Sequence, residues 1–466
     1  HMMSTLGPAF TQADLNKDGL DDFYLGGSVT SPGAMYIQNQ NGGFSLVQHL
    51  VKDEISSDDV DAVFFDADGD KDLDLYVVTG GSENTSQSPS HQDYLFENKG
   101  LIKGVPNFVK TENKIPRLYQ SGSCVRPVDV DNDGDLDLFV GTRVVPSHYG
   151  LPCDQLLLLN DGKGNFTDAS STFAPEFKKL GMVTDAVWFD YDGNEFSDLL
   201  VIGEWMPITL FVNDGKKLVR QDDINGLSNT QGWWNKIVSD DIDNDGDMDF
   251  VIGNLGLNSK FRPTADSVIT LYVNDFDQNG SIEPIFTFRN GEEEYTMALR
   301  QDVVKQMSSL KKQFVYYKEY AGKSIKDIFD NTLLENATAL KFREAKTSVL
   351  INNGREGFEL KPLPVQAQVS PVYGIAIFDL NKDGTKDIIL GGNLFAVKPE
   401  VGRYDALHGL VLLGDGKNNF TALSSVQSGL KIEGEVRHIS RLKTKNGFKL
   451  VFVRNNDWIT FYKIRK

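Results

Sequence analysis

The sequence predicts an all-β chain: a seven-bladed β-propeller, with eight blades as the alternative, interrupted by one mostly helical insertion. Three observations carry that reading. A nine-residue acidic pattern occurs seven times, beginning at Asp14, Asp66, Asp129, Asp190, Asp241, Asp275 and Asp379. The first five copies are 52, 63, 61 and 51 residues apart, the spacing of propeller blades. Short apolar runs joined by Asp-Gly or Asn-Gly pairs accompany most copies, and such pairs are the strongest local sign of a hairpin.

The pattern reads D-x-[DN]-x-[DN], then usually glycine, with an acid at position 9. Its candidate ligand positions hold Asp14, Asn16, Asp18 and Asp22; Asp66, Asp68, Asp70 and Asp74; Asp129, Asp131, Asp133 and Asp137; and Asp190, Asp192, Asn194 and Asp198. The later copies hold Asp241, Asp243, Asp245 and Asp249; Asp275, Asp277, Asn279 and Glu283; and Asp379, Asn381, Asp383 and Asp387. Alternate carboxylates followed by a tight turn converge several oxygens on one point, which suits a hard cation with six to eight oxygen ligands. The expected ion is Ca2+, several per chain.

An EF-hand shares the first five positions but needs a bidentate Glu at position 12. That position holds Leu25, Val77, Val140, Val201, Ile252, Phe286 and Leu390, so EF-hands are excluded. Position 9 then supplies the last side-chain ligand and position 7 a backbone carbonyl. A single copy would be as easily an ordinary turn; seven in phase are not. The loops at Asp66 and Asp190 are expected to be weakest, because Lys71 and Glu195 stand where glycine would accept a positive φ. Of the 66 acidic residues, 24 occupy these positions, and seven divalent ions would bring the formal charge from −19 to −5. Without cations the clustered carboxylates repel, so the metal is read first as structural.

The apolar runs after the loops, at 75–78, 138–140, 199–202, 250–252 and 388–390, are short and continuous, as strands buried on both faces are. Second hairpins follow, as at 156–160 with Phe166-Thr167. A last, metal-free blade is expected where 436–442 and 448–453 flank a turn. Between Asp241 and Asp379 the rhythm breaks, and Val303, Met307, Leu310 and Phe314 fall at helical spacing. The organisation expected is residues 1–290 as blades with calcium loops, 291–346 as the helical insertion and 347–466 as the remaining blades. The Asp275 copy falls in an additional or second-half hairpin.

Composition narrows the function. An acidic chain lacks the basic face that phosphate backbones require, so nucleic acid is excluded as a partner. No apolar run reaches the ~18 residues of a transmembrane helix. His1-Met2 reads as a cloning remnant, leaving either a trimmed export signal or a cytosolic start at Met3. Cys124 and Cys153 fall at one edge of a blade, as a disulfide or as two reduced thiols.

The strings FDADGDKDLDLYVVTGG and VDVDNDGDLDLFVGTR resemble FG-GAP, or VCBS-type, repeats, best known from integrin α-subunit propellers. With YVNDFDQNGSIEPIF and GEVRHISRLKT, the chain as a whole is similar to bacterial VCBS-repeat proteins related to the ASPIC/UnbV group. The resemblance implies calcium in the hairpin loops and an exported protein: extracellular, periplasmic or on the outer surface. It fixes no activity, because the fold hosts many.

Propeller geometry sets the metal loops on one face and the other connections on the opposite one. Those connections gather Arg143, His148, Tyr149, Trp205, Trp233, Trp234, Arg262, Arg403 and Tyr404, the candidate ligand-binding set. Rings beside Arg suit a glycan or protein partner, although the Trp pair would equally plug the central channel. No nucleophile or nucleotide motif is present, and His91, His148, His408 and His438 are isolated candidates for general bases. The leading expectation is a cell-surface binding module. The alternatives are a polysaccharide lyase or hydrolase using Arg143, His148 and Tyr149, and a structural module of a surface complex docking through the insertion.

Overall fold

The computed structural model describes residues 6–50, 57–264, 266–399 and 401–464; His1, Met2 and Met3 lie outside them. Each acidic loop closes a hairpin. In the first sheet Phe10–Ala13 pairs with Asp22–Leu25, Ala13 opposite Asp22, and Gly33–Gln38 and Phe44–Leu50 complete four antiparallel strands. The second sheet (Asp58–Phe65, Asp74–Gly80, Tyr94–Ile102, Val105–Lys110) and the third (Ser121–Val128, Asp137–Val144, Leu156–Asn160, Phe166–Asp168) repeat this order. So do the fourth (Met182–Phe189, Asp198–Met206, Thr209–Asn213, Leu218–Gln221) and the sixth (Val372–Phe378, Asp387–Gly392, Leu410–Gly414, Phe420–Leu423). In all of them the position 9 acid opens the second strand.

The fifth sheet starts with Lys236–Asp240 and Asp249–Gly253, and its outer strands, Ser348–Asn352 and Phe358–Pro362, come from beyond the break in rhythm. Leu350 faces Phe250, so the hairpin around 350–360 belongs to this sheet. The seventh sheet, Glu435–Thr444, Gly447–Asn455 and Thr460–Lys463, has three strands and no acidic loop.

Second strands such as Asp74–Gly80 and Asp198–Met206 are buried along their whole length, because each sheet is covered by a neighbour on both faces. Leu75 and Val77 pack with Tyr24 and Met35 of the first sheet, while Tyr76 and Val78 pack with Leu138 and Val140 of the third. Period-2 alternation thus sends successive side chains into two different cores. The pattern continues sheet by sheet until Leu442, Val451 and Val453 of the seventh sheet pack on Phe10 and Phe23 of the first. Each buried Leu, Val or Phe contributes about 1.5–3 kcal/mol.

The excursion inside the fifth sheet, 254–347, differs from the expected helical insertion at 291–346. It carries its own sheet, ordered Glu293–Thr296, Glu283–Asn290, Ile269–Asn274, Thr338–Phe342, and the Asp275 loop joins two of those strands. Its helices are short: Arg300–Gln306, Leu310–Gln313, Tyr317–Tyr320, Ile325–Ile328 and Asn331–Glu335. Val303, Met307 and Phe314 are buried, packed with Phe276 of the Asp275 loop and Ile285 of the inserted sheet. Ser308 and Ser309 break the helical run, as residues that compete for backbone hydrogen bonds do. Among the described residues no helix is long and apolar enough to cross a membrane.

Candidate metal loops and axial cavity

Within each loop the backbone donates to one side of the carboxylates. Asp14 accepts from the N–H groups of Asp18 and Gly19 at 3.0 and 2.8 Å, and Asp18 from Leu20 at 2.9 Å. Position 9 ties the loop to its sheet. Asp137 accepts from Val130 N–H at 3.1 Å and Asn160 N–H at 2.8 Å, and Asp22, Asp74, Asp198, Asp249 and Asp387 make the equivalent pair of bonds. Glu283 keeps the first of them, from Phe276 N–H.

The remaining oxygens converge. One atom from each of Asp66, Asp68 and Asp70 lies within 4.8 Å of the others, as it does for Asp129, Asp131 and Asp137; Asp190, Asp192 and Asp198; Asp241, Asp243 and Asp249; and Asp275, Asp277 and Glu283. Asp68, Asp131, Asp241 and Asp277 each keep a buried Oδ1 with no hydrogen-bond partner, a costly arrangement that a cation relieves. Burial, reinforced by the neighbouring carboxylates, pushes the Asp22, Asp74 and Asp137 carboxyls up to about 7 and those of Asp198 and Asp249 up to about 6; a bound cation reverses that tendency. An all-oxygen, acid-rich donor set fits calcium. At Asp14 and Asp379 position 3 is Asn16 or Asn381, whose amide donates to Asp18 or Asp383 at 3.4 and 2.8 Å.

The loops at Asp66 and Asp190, expected to be weakest, are among those that cluster three carboxylates. In all seven loops positions 4 and 6 both have positive φ: Lys17 and Gly19, Gly69 and Lys71, Asn132 and Gly134, Gly193 and Glu195, Asn244 and Gly246, Gln278 and Gly280, Lys382 and Gly384. One glycine per loop is therefore the rule, and in these two copies it has moved from position 6 to position 4. Lys71 (φ 71°) and Glu195 (φ 70°) bear the strain that Lys17 or Asn132 bears elsewhere.

Neighbouring loops touch. Asn160 donates from Nδ2 to Ala67 O at 2.8 Å, and Asn213 to Val130 O at 2.8 Å. Lys17 Nζ reaches Lys71 O at 3.1 Å, and Asn418 Nδ2 reaches Asp243 at 2.8 Å. Gln38 Nε2 bonds Lys443 O, at the turn end of the last sheet's first strand, at 3.0 Å. The loops of the successive sheets, the Asp275 copy aside, thus gather at one end of the array.

On the axis, one cavity is lined by the first strands of six sheets and by Leu6, just ahead of the remaining one: Asp61, Arg126, Thr184, Lys236, Tyr373, Arg437 and His438 among others. Lys236, Tyr373, Arg437 and Thr184 stand in the first half of strands whose far ends lead into the acidic loops or, after Arg437, the last turn, so the cavity sits towards the opposite end. Arg126 pairs with Asp61 at 2.7 Å and with Asp185, and Lys236 pairs with Asp185 at 3.0 Å.

The candidate ligand residues fall into three environments. Arg143 enters the cavity wall and pairs with buried Glu204, whose other oxygen accepts from Tyr149 at 2.6 Å. Trp205 Nε1 donates to the same Tyr149 hydroxyl at 2.9 Å. The rings of Trp205 and Trp233 pack against Phe342 of the inserted sheet, and Trp234, wholly buried, joins the core between the fourth and fifth sheets. The three Trp residues therefore dock sheets to one another rather than present a stacking face. Arg262 donates to Ser259 O at 2.9 Å, the half-exposed His148 contacts Pro146 O at 3.0 Å, and exposed Arg403 lies 5.3 Å over Phe395 beside buried Tyr404. Asn235, Lys236 and Arg126 escaped sequence reasoning; their signal was a polar residue on a first strand, or for Asn235 immediately before one, where an apolar residue would otherwise fill the axis. Cys124 and Cys153 are buried free thiols, both pushed up to about 12 by burial.

Small antiparallel sheets with oxygen-rich hairpin loops define a β-propeller-like repeat protein whose loops fit divalent cations. Residues 14–77 match the model of the FG-GAP-like repeat, so the chain carries that repeat; the match does not involve the ASPIC/UnbV group. No curated protein matches the chain at a significant level. Similar solved structures include the V. cholerae biofilm matrix protein Bap1, 10% identical over 97% of this chain and 85% of that one with a TM-score of 0.35. Saccharomyces cerevisiae Sqt1 is 9% identical over 100% and 98%, TM-score 0.45. The exotype rhamnogalacturonan lyase YesX is 10% identical over 96% and 70%, TM-score 0.41. With every TM-score below 0.5, no property of these proteins passes to this chain.

Proposed function

We propose that the chain is a calcium-stiffened propeller of seven blades, exported from the cell, that binds a glycan or protein partner at the end of its axis away from the acidic loops. Seven blades count the sheets of the closed succession and leave the inserted sheet aside. The observation that carries the reading is the axial cavity, a polar space bordered by Arg143, Lys236, Arg437 and Tyr373. Calcium would be held by the position 1, 3, 5 and 9 side chains and would supply charge neutralisation to the loops, leaving recognition to the other end. A glycan array and a pull-down with the calcium-loaded chain test the reading. Capture is expected, and is expected to fall when exposed Arg403 and half-exposed His148 are changed to Ala but not when Lys163, beside the loops, is changed. Capture of nothing, or capture indifferent to Arg403 and His148 yet lost with Lys163, would refute it.

A further inference from the structure

We propose that the axial cavity takes the carboxylate head of a uronic acid, with Asn235 reading the carboxylate together with a neighbouring hydroxyl; this rests on the binding reading above and names its ligand class. The first observation is Asn235 itself. It lines the cavity and is 9% exposed, and neither Oδ1 nor Nδ2 of its side chain has a hydrogen-bond partner in the protein. Buried amides are rarely left so, and each unmet group carries a desolvation cost that only a partner offsets. An amide needs an acceptor for Nδ2 and a donor for Oδ1. A carboxylate supplies the first and an adjacent hydroxyl the second.

The charge on the wall is the second observation. Arg126, Arg143, Lys236 and Arg437 line the cavity, against a single carboxylate, Asp61. Asp61 is engaged by Arg126 at 2.7 Å and by Val125 N–H at 3.1 Å. The other counter-charges, Asp185, Glu204 and Glu435, pair with Lys236, Arg143 and Arg437 without lining the space. Cations in front and carboxylates behind give the cavity a positive face. Lys236 has one carboxylate at 3.0 Å, and an ammonium has three donors.

Size limits what can enter. The cavity offers about 60 Å³, several water-sized positions, which admits a carboxylate and its neighbour but not a whole sugar ring. In a uronic acid the carboxylate projects from the ring by a single bond, so it can enter while the ring stays outside. A peptide C-terminus is branched in the same way at the carbon next to its carboxylate and offers an amide N–H where the uronate offers a hydroxyl, so it is the competitor that the titration includes.

The test is calorimetric titration of the calcium-loaded full chain with glucuronate and galacturonate, their methyl esters, glucose, and a peptide ending in glycine. Uronates are expected to bind at least about tenfold more tightly than esters or glucose, the ratio for loss of one charged hydrogen bond. Asn235→Ala is expected to weaken uronate binding by about tenfold while leaving Tm unchanged or raised, because it removes an unmet amide; Asn235→Asp is expected to abolish binding by placing a carboxylate in the ligand's place. Equal binding of acid and ester, binding of the peptide alone, or an unaffected Asn235→Ala variant would overturn the assignment. If no uronate binds while the array or pull-down still finds a partner dependent on Arg403 and His148, the uronate assignment fails and the binding reading stands.

Discussion

Asp131 and Asp137 sit in one loop, and the structure gives them separable roles. Asp137 is 1% exposed and each oxygen accepts a backbone N–H. Asp131 points a buried Oδ1 at the cluster with no partner. Asp137→Asn replaces one acceptor with an NH2 group facing a backbone donor, which costs about 1–3 kcal/mol with or without calcium. Asp131→Asn removes charge from the ligand set and relieves repulsion when no ion is bound. One site at about 100 times its Kd contributes about 2.7 kcal/mol, so that is the most Asp131→Asn can lose in calcium. Unfolding entropy of ~2.1 cal/mol/K per residue gives roughly 1 kcal/mol/K for the whole chain, so about 1 kcal/mol moves Tm by about 1 °C. Scanning calorimetry in calcium and in chelator should show Asp131→Asn about 2–3 °C lower in calcium only, and Asp137→Asn lower in both. Equal loss for Asp131→Asn in both conditions, or a parent chain whose Tm ignores calcium, would refute the reasoning.

Asn213→Ala leaves the carbonyls of Val130 and Ser197, now served at 2.8 and 3.2 Å, without their donor at a fully buried site; a loss of about 1–3 kcal/mol is expected by urea denaturation. Trp205→Ala opens a cavity between the fourth sheet and the inserted one, costing about 3–5 kcal/mol, and limited proteolysis should then cut first within 254–347; cleavage no faster than in the parent would count against the docking role. Burial, with Lys236 and Arg126 nearby, holds the His438 imidazole down at about 4, against an ordinary 6.5. The unfolded chain therefore takes up a proton that the folded chain refuses, and stability falls as pH drops from about 6.5 to about 4, by about 3 kcal/mol in all. His438→Asn should flatten that part of the acid limb relative to the parent, measured by urea midpoints across the same range.

The acidic loops were legible because their chemistry is local: five alternating oxygens and one turn are written in nine consecutive residues. Their backbone was read less well. Position 4 shares the left-handed conformation with position 6, so Gly69 and Gly193 compensate for Lys71 and Glu195, an exchange visible only when both torsions are known. The hairpin at 350–360 pairs with a strand about a hundred residues earlier, and pairing across an excursion leaves no periodic trace. Trp205 and Trp233 were conspicuous as aromatics in connections. What the sequence could not supply was the inserted sheet that covers them, because the strands at 269–274 and 338–342 are separated by a run of short helices. Asn235 was missed for the opposite reason: beside two Trp residues a lone amide carries no pattern, and its interest comes from the partners it lacks.

The asparagines that join neighbouring loops form one continuous line. Asp198 accepts from Asn213 N–H, Asn213 Nδ2 donates to Val130 O, Val130 N–H donates to Asp137, and Asp137 accepts from Asn160 N–H, whose Nδ2 reaches Ala67 O, with Ala67 N–H on Asp74. An ion that fixes one carboxylate therefore pre-orients groups in the next loop, and coupling of this kind is reciprocal. Ion uptake at the Asp66, Asp129 and Asp190 loops is accordingly expected to be cooperative, with a Hill slope above unity that drops when Asn160 or Asn213 is cut back to Ala.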